Sequence, residues 1–239
     1  MDQFSRTKLL IKDEGLKKLK KSHVIVFGVG GVGGYVVEAL ARSVVCKFTL
    51  VDNDKVNLTN INRQIIATLD TVGLDKVDVM KDRILSINKD AEVIVKKMFY
   101  LPETSSQFNF KDYDYVVDCV DTVSAKISII VEAKRNEIPV ISAMGAGNKL
   151  DPTQLVVSDI SKTEIDPLAR VMRRELRNRG INHLKVIYSK EKPVEIDPND
   201  SSLELKEKSG RPAPGSIAFV PSVMGLIIAR EIVKDLIGR

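Results

Sequence analysis

Six consecutive residues, Gly28-Val29-Gly30-Gly31-Val32-Gly33, constrain this chain more than any others. They fit G-x-G-x-x-G. Just before them, residues 23–27 are apolar and rich in Val and Ile, as in a buried strand. Residues 35–42 then read as a helix and 47–51 as a second strand, ending at Asp52. Strand, glycine turn, helix and strand within about 30 residues make a βαβ unit. In such a turn the first glycine permits the tight bend, the second lets the backbone approach a phosphate, and the third lets helix and strand pack closely. The helix amides and dipole then face the anion. Asp52 stands 19 residues beyond Gly33, where a carboxylate can hold ribose hydroxyls. The loop by itself reads as a nucleotide site, and a nicotinamide-dependent oxidoreductase or a regulatory nucleotide-binding module would carry the same signal.

The alternation continues down the chain. Residues 4–21 form an amphipathic helix with an expected break at Gly15. Helices are expected at 74–88 and 124–136, and strands at 92–98, 113–118 and 139–143. This order predicts an α/β fold, a Rossmann-like, doubly wound and mostly parallel sheet covered on both faces. After Gly147 the rhythm changes. Strands at 154–158 and 184–188, a basic helix at 167–179, a polar loop at 191–214 and an apolar helix at 221–237 are the additional C-terminal elements. The chain therefore divides into a nucleotide-binding core over 1–147 and an extension over 148–239 within a single domain.

Composition narrows the classes. The two cysteines, Cys46 and Cys119, exclude a disulfide scaffold and an all-cysteine zinc site. Cys119, at an apolar strand end, is a candidate nucleophile as well as a small buried residue; Cys46, at a strand entrance, reads as structural, and His23 and His183 have no ligand partners at metal spacing. The first residues carry charge and lack the apolar run of a signal peptide. The longest charge-free run, 212–229, is broken by Pro214, Gly215, Pro221 and Gly225, so no membrane span is expected and a cytoplasmic protein is. The net charge of +5 is concentrated: 166–192 holds eight cationic residues, Arg170, Arg173, Arg174, Arg177, Arg179, Lys185, Lys190 and Lys192, against three acidic ones. A basic stretch on an otherwise neutral chain suits a polyanion, or is a solvated helix face.

Other residues separate the nucleotide-binding classes. Asp52-Asn53-Asp54 leads to Asn57 and to Asn60-Ile61-Asn62-Arg63-Gln64; Gly73-Leu74-Asp75-Lys76 and Asp118-Cys119-Val120-Asp121 follow. Gly28, Asp52 and Asp118–Asp121 all fall at carboxyl ends of strands, where ligands bind in a doubly wound sheet. Arg63 and Lys76 suit a triphosphate, and Asp121 suits a magnesium ion. Hydride transfer has no evident need for them, whereas electrophilic activation by ATP does.

These motifs resemble the adenylating domain of ubiquitin-activating enzymes and their bacterial relatives over about residues 6–147. The segments FSRTKLLIKDEGL, GAGNKLDPTQLVVSDISKTEIDPLAR and GSIAFVPSVMGLIIA resemble one branch, the tRNA threonylcarbamoyladenosine dehydratase family, and extend the likeness over nearly the whole chain. The resemblance implies that Gly28, Gly30, Gly31, Gly33, Asp52 and Asp54 hold ATP. It implies that Asn60, Arg63, Gln64 and Lys76 surround the phosphates and that Asp121 binds Mg2+. Arg6 matches an arginine that reaches into the partner's ATP site, which implies a homodimer. Arg6, Arg63, Lys76 and Asp121 are the implied catalytic set. The implied substrate is tRNA carrying threonylcarbamoyladenosine beside the anticodon, whose carboxylate is adenylated before the group cyclises with loss of water. A sulfur-relay protein is a further candidate partner. The alternative is an adenylyltransferase for the C-terminus of a ubiquitin-like sulfur carrier; many of those carry paired C-x-x-C zinc motifs, which this chain lacks.

Overall fold

The structure is a computed structural model and describes residues 2–197 and 214–238. Its elements are, in chain order, α1 (Ser5–Lys21), β1 (His23–Phe27), α2 (Gly33–Arg42), β2 (Lys47–Val51), α3 (Lys76–Ile87), β3 (Glu92–Lys96), β4 (Tyr115–Asp118), α4 (Val123–Arg135), β5 (Val140–Ala143), β6 (Leu155–Asp159), α5 (Pro167–Arg177), β7 (Lys185–Ser189) and α6 (Phe219–Ile237). Most of the polar loop expected at 191–214 lies outside the described residues.

All seven strands share one sheet, ordered β3-β2-β1-β4-β5-β7-β6. Every pair is parallel except β6 with β7. The apolar runs that mark β1 and β4 belong to the centre, where both faces are covered and every residue is buried. Edge strand β3 alternates exposed and half-buried residues instead. The chain builds outward from β1 through β2 to β3, then crosses back and places β4 on the other side of β1. That reversal opens a crevice beyond the carboxyl ends of β1 and β4.

Side chains alternate across the strands and divide the core in two. Val24 and Val26 point into a layer built with Leu19, Val36, Leu40, Met80, Met224 and Ile228, from α1, α2, α3 and α6. Ile25 and Phe27 point into the other, built with Ile129, Met172 and the rings of Tyr100, Phe108 and Phe110. Phe27 and Tyr100 meet edge-to-face at 4.9 Å between centroids. The elements after residue 147 are part of this frame: β7 pairs with β5, and α6 contributes Met224 and Ile228 to the first layer.

The break expected at Gly15 falls instead at Lys12, whose φ of 60° and ψ of 179° are not helical, and Gly15 is buried within the second half of α1. The two halves answer to different contacts. Phe4 anchors the start in the first core layer, while Lys18 donates to the Ile237 carbonyl at the end of α6 (3.1 Å). Among the described residues no helix is long and apolar enough to cross a membrane.

Candidate active site

The turn after β1 is built by close approach. The Gly28 N–H donates to the Val51 carbonyl (2.9 Å), and the Cys119 N–H donates to the Phe27 carbonyl (2.8 Å). Gly28 has φ of +86°, and a Cβ on it would stand 2.7 Å from the Cys119 carbonyl oxygen. A Cβ on Gly33 would overlap the Gly28 carbonyl oxygen. No other residue fits either position, so this backbone lies tight against the exit of β4 and aims the first turn of α2 into the crevice.

Asp52, at the end of β2, is locked to that loop. Its Oδ2 accepts from the Val29 N–H and its Oδ1 from the Asp54 N–H, each at 2.8 Å. Each oxygen keeps a lone pair for a sugar hydroxyl. Lys76 opens α3 and is buried; its Nζ lies 3.1 Å from Asp54 Oδ2. Asn60 closes the short turn over Leu58–Asn60 by accepting from the Asn57 N–H (3.1 Å). This turn carries Arg63 and Gln64 to the glycine loop. A Cβ on Gly31 would stand 3.6 Å from Arg63 Cγ, and one on Gly30 would stand 3.7 Å from Gln64 Nε2.

Two features of this cluster ask for a ligand: one for negative charge, the other for a hydrogen-bond donor. Burial pushes the Arg63 guanidinium below its ordinary pKa, and it still carries charge. Its Nη1 donates to the Thr59 carbonyl (2.9 Å) and to Asn62 Oδ1 (2.8 Å), yet no carboxylate pairs with it among the described residues. Gln64 is buried, and its Oε1 has no hydrogen-bond partner among the described residues. A buried amide oxygen left so is rare and points to a missing partner.

The two aspartates of Asp118-Cys119-Val120-Asp121 have opposite fates. Asp118 is fully buried. Ser142 Oγ donates to its Oδ2 (2.5 Å), and Lys126 Nζ lies 2.9 Å from the same oxygen. Lys126 also donates to the Val120 carbonyl (3.1 Å) and the Ala143 carbonyl (2.8 Å), and so ties the exits of β4 and β5 together. Asp121 is exposed, just past the carboxyl end of β4, and receives a bond from the Thr122 hydroxyl (3.3 Å). Cys119 lies between them. Burial pushes its thiol up to about 12, with Asp118 adding to the shift, so it is protonated at neutral pH and no nucleophile.

Sequence reasoning missed two buried ion pairs, Lys126 with Asp118 and Lys149 with Asp166. Lys149 Nζ meets Asp166 Oδ2 at 2.9 Å and donates to the Gly145 carbonyl (2.8 Å), so it holds the segment leaving β5. A signal for the first was present. Lys126 shares a helix face with Ile129, Ile130 and Ala133, all buried, and a lysine on that face has to find a partner. His23 is held between the Asp112 carbonyl and Thr49 Oγ1, both at 2.9 Å, at the amino end of its strand and so away from the crevice. Arg6 is exposed on α1 and forms no hydrogen bond or ion pair among the described residues. No group of three or more metal-ligating side chains occurs among them either.

A family model described as the ThiF family matches residues 4–239. The tRNA threonylcarbamoyladenosine dehydratase of Bacillus subtilis is 49% identical over 242 residues, which cover 99% of this chain and 95% of the relative. The structure of the Escherichia coli tRNA N6-threonylcarbamoyladenosine dehydratase TcdA in complex with ATP superposes with a TM-score of 0.88 at 34% identity, covering 99% of this chain and 94% of that one. The adenylyltransferase and sulfurtransferase UBA4 of Vanderwaltozyma polyspora is 36% identical over 137 residues, covering 57% of this chain and 31% of the relative.

Proposed function

Because the chain belongs to the ThiF family, we propose that its glycine-loop crevice is an ATP site serving one adenylation reaction. The enzyme dehydrates threonylcarbamoyladenosine in tRNA at the expense of ATP. One observation carries the choice over activation of a sulfur-carrier protein. The likeness to the Bacillus subtilis dehydratase spans 99% of the chain, whereas the likeness to the adenylyltransferase and sulfurtransferase spans 57%.

The geometry supports a division of labour. Asp52, already held by two backbone N–H groups, binds the ribose. Arg63, which no carboxylate pairs, takes the triphosphate with Lys76; the Gln64 amide N–H can join them, while its Oε1, an acceptor, takes a hydroxyl or amino hydrogen of the nucleotide. Asn60 keeps the turn that presents them. The threonyl carboxylate attacks the α-phosphorus, and pyrophosphate leaves. The carbamoyl group then closes on the activated carbonyl and expels AMP. A carboxylate oxygen is a poor leaving group and AMP a good one, so the sequence of bonds is downhill where direct loss of water is not. The exposed carboxylate of Asp121 suits a hard cation, and Mg2+ held there would neutralise charge on the phosphates. Residues 1–147 supply this site and Arg6 for the partner's, and 148–239 supply the tRNA surface and further second-subunit surface. ATP and tRNA are both cytoplasmic, which is where we place the reaction.

The test uses ATP labelled at the α-phosphate, Mg2+ and tRNA carrying threonylcarbamoyladenosine. One AMP and one pyrophosphate are expected per modified adenosine, and the nucleoside is expected to lose the mass of one water. No pyrophosphate with modified tRNA, or release that needs a sulfur-carrier protein instead, overturns the reading.

A further inference from the structure

Helix α5 buries Ala169, Met172 and Leu176 and turns another face outward. That face carries Arg170, Arg173, Arg174 and Arg177, at i, i+3, i+4 and i+7. With Asn178 they line one open concavity of about 390 Å³. Like charges at these spacings are helix neighbours and destabilise one another. The helix dipole accounts for Arg174 and Arg177 in the last turn but opposes Arg170 in the first. Neutralisation within the chain is partial. Arg174 and Arg179 share Glu175, at 3.2 and 3.1 Å. Arg173 donates to the carbonyl and hydroxyl of Thr163, both at 2.6 Å, and so serves the fold. Among the described residues Arg170 and Arg177 form no ion pair.

The orientation of this face follows from the start of the helix. Asp166 Oδ1 accepts from the Ala169 N–H (2.9 Å), while Oδ2 meets Lys149, which holds the Gly145 carbonyl just past β5. The Arg170 end of the face therefore lies at the carboxyl edge of the sheet, the edge that carries the glycine loop, Asp52 and Asp121. Arg177 follows about 10 Å further along the axis, at about 1.5 Å per residue.

We propose that the arginine face of α5 binds the phosphate backbone of the tRNA while the modified adenosine occupies the crevice. This rests on the reading above that the substrate is a tRNA. Guanidinium forks match phosphate oxygens in pairs and keep their charge at any working pH. No aromatic ring lines the concavity, so the surface positions the backbone and does not read bases.

The experiment measures binding of the modified tRNA by fluorescence anisotropy between 50 and 200 mM salt, for the full chain and for Arg170→Glu/Arg174→Glu/Arg177→Glu. Arg173 is left in place because Thr163 needs it. Expected are a Kd raised at least tenfold at the lower salt and a log–log salt slope flattened by about two, near 0.7–0.9 per lost phosphate contact. ATP affinity is expected to stay the same. Should the triple variant fail to fold, Arg170→Gln/Arg177→Gln is read for the same two quantities in the same direction. Unchanged affinity and slope in a folded variant, with a wild type that binds and dehydrates the tRNA, overturn this proposal and leave the function standing. A wild type that neither binds nor dehydrates it overturns the function as well.

Discussion

Two aspartates three positions apart, one ending β4 and one just past it, do different work because of what surrounds them. Asp118 is enclosed by Lys126 and Ser142, so its charge is spent inside the protein. Taking away Lys126 would strand that buried charge, a change that typically costs several kcal/mol in such pairs. Asp121 has no such enclosure and is exposed at the carboxyl edge of the sheet. Replacing it with Asn keeps the size and removes the charge a hard cation requires. Pyrophosphate release from ATP with modified tRNA is expected to fall on the order of 10²-fold or more, while the far-ultraviolet circular dichroism and thermal midpoint stay at wild-type values. Turnover near wild type would remove Asp121 from the site.

Helices α2 and α3 frame the nucleotide loop, and their mutual position depends on one buried carboxylate. Glu38 of α2 receives bonds from Arg83 of α3 (2.6 and 3.0 Å) and from Arg42 of its own helix (2.8 Å). Burial pushes the Glu38 carboxyl up, but the hydrogen bonds from Arg83 and Arg42 outweigh it and hold the group below its ordinary value. A depressed carboxylate stabilises the fold above the unfolded value of 4.5, and that contribution is lost as pH falls through the lower folded value. Arg42 and Arg83 are themselves 59% and 36% exposed as side chains, so solvent screens the pairs. Glu38→Gln is therefore expected to cost about 1 kcal/mol in urea unfolding at pH 7. The gap to wild type should begin to close as pH drops below 4.5, where the unfolded glutamate protonates, and vanish below the lower folded value, where the native one does too. A gap that stays constant with pH would mean that packing, and not charge, joins the two helices.

The whole molecule poses a question that one chain does not answer by itself. Arg6 stands on the first half of α1, before the break at Lys12, with the side chain of Leu9 beside it 82% exposed. An apolar residue so open on a short helical segment, next to an arginine with no partner among the described residues, suits a second copy of the chain. If Arg6 serves the partner's phosphates, an arginine supplied in trans is worth roughly 10³–10⁵ in turnover in other phosphoryl-transfer systems. Arg6→Ala and Asp121→Ala chains, each inactive alone, are expected to recover activity when mixed. In a hybrid dimer both defects fall on one site, and the other is whole. Hybrids that form and stay inactive would place Arg6 in its own chain's site, and an Arg6→Ala chain active alone would place it in none.

Much of this protein was legible in short windows. The turn at Gly28–Gly33, the carboxylate at Asp52, the cations at Arg63 and Lys76 and the alternation of strands with helices depend on local spacing. Periodicity, positive φ and helix termini are set within a few residues of chain. Tertiary packing alone decided the rest, because it joins residues far apart in sequence. It inserted β7 between β5 and β6 and reversed β6, which local propensity does not specify. It moved the break in α1 from Gly15 to Lys12, since the anchors are Phe4 in the core and the distant end of α6. It withdrew Asp118 from solvent by giving it Lys126, and tied Arg173 to Thr163. It left Gln64 buried with an unmet oxygen beside the glycine loop, where only the assembled sheet could show that a ligand belongs.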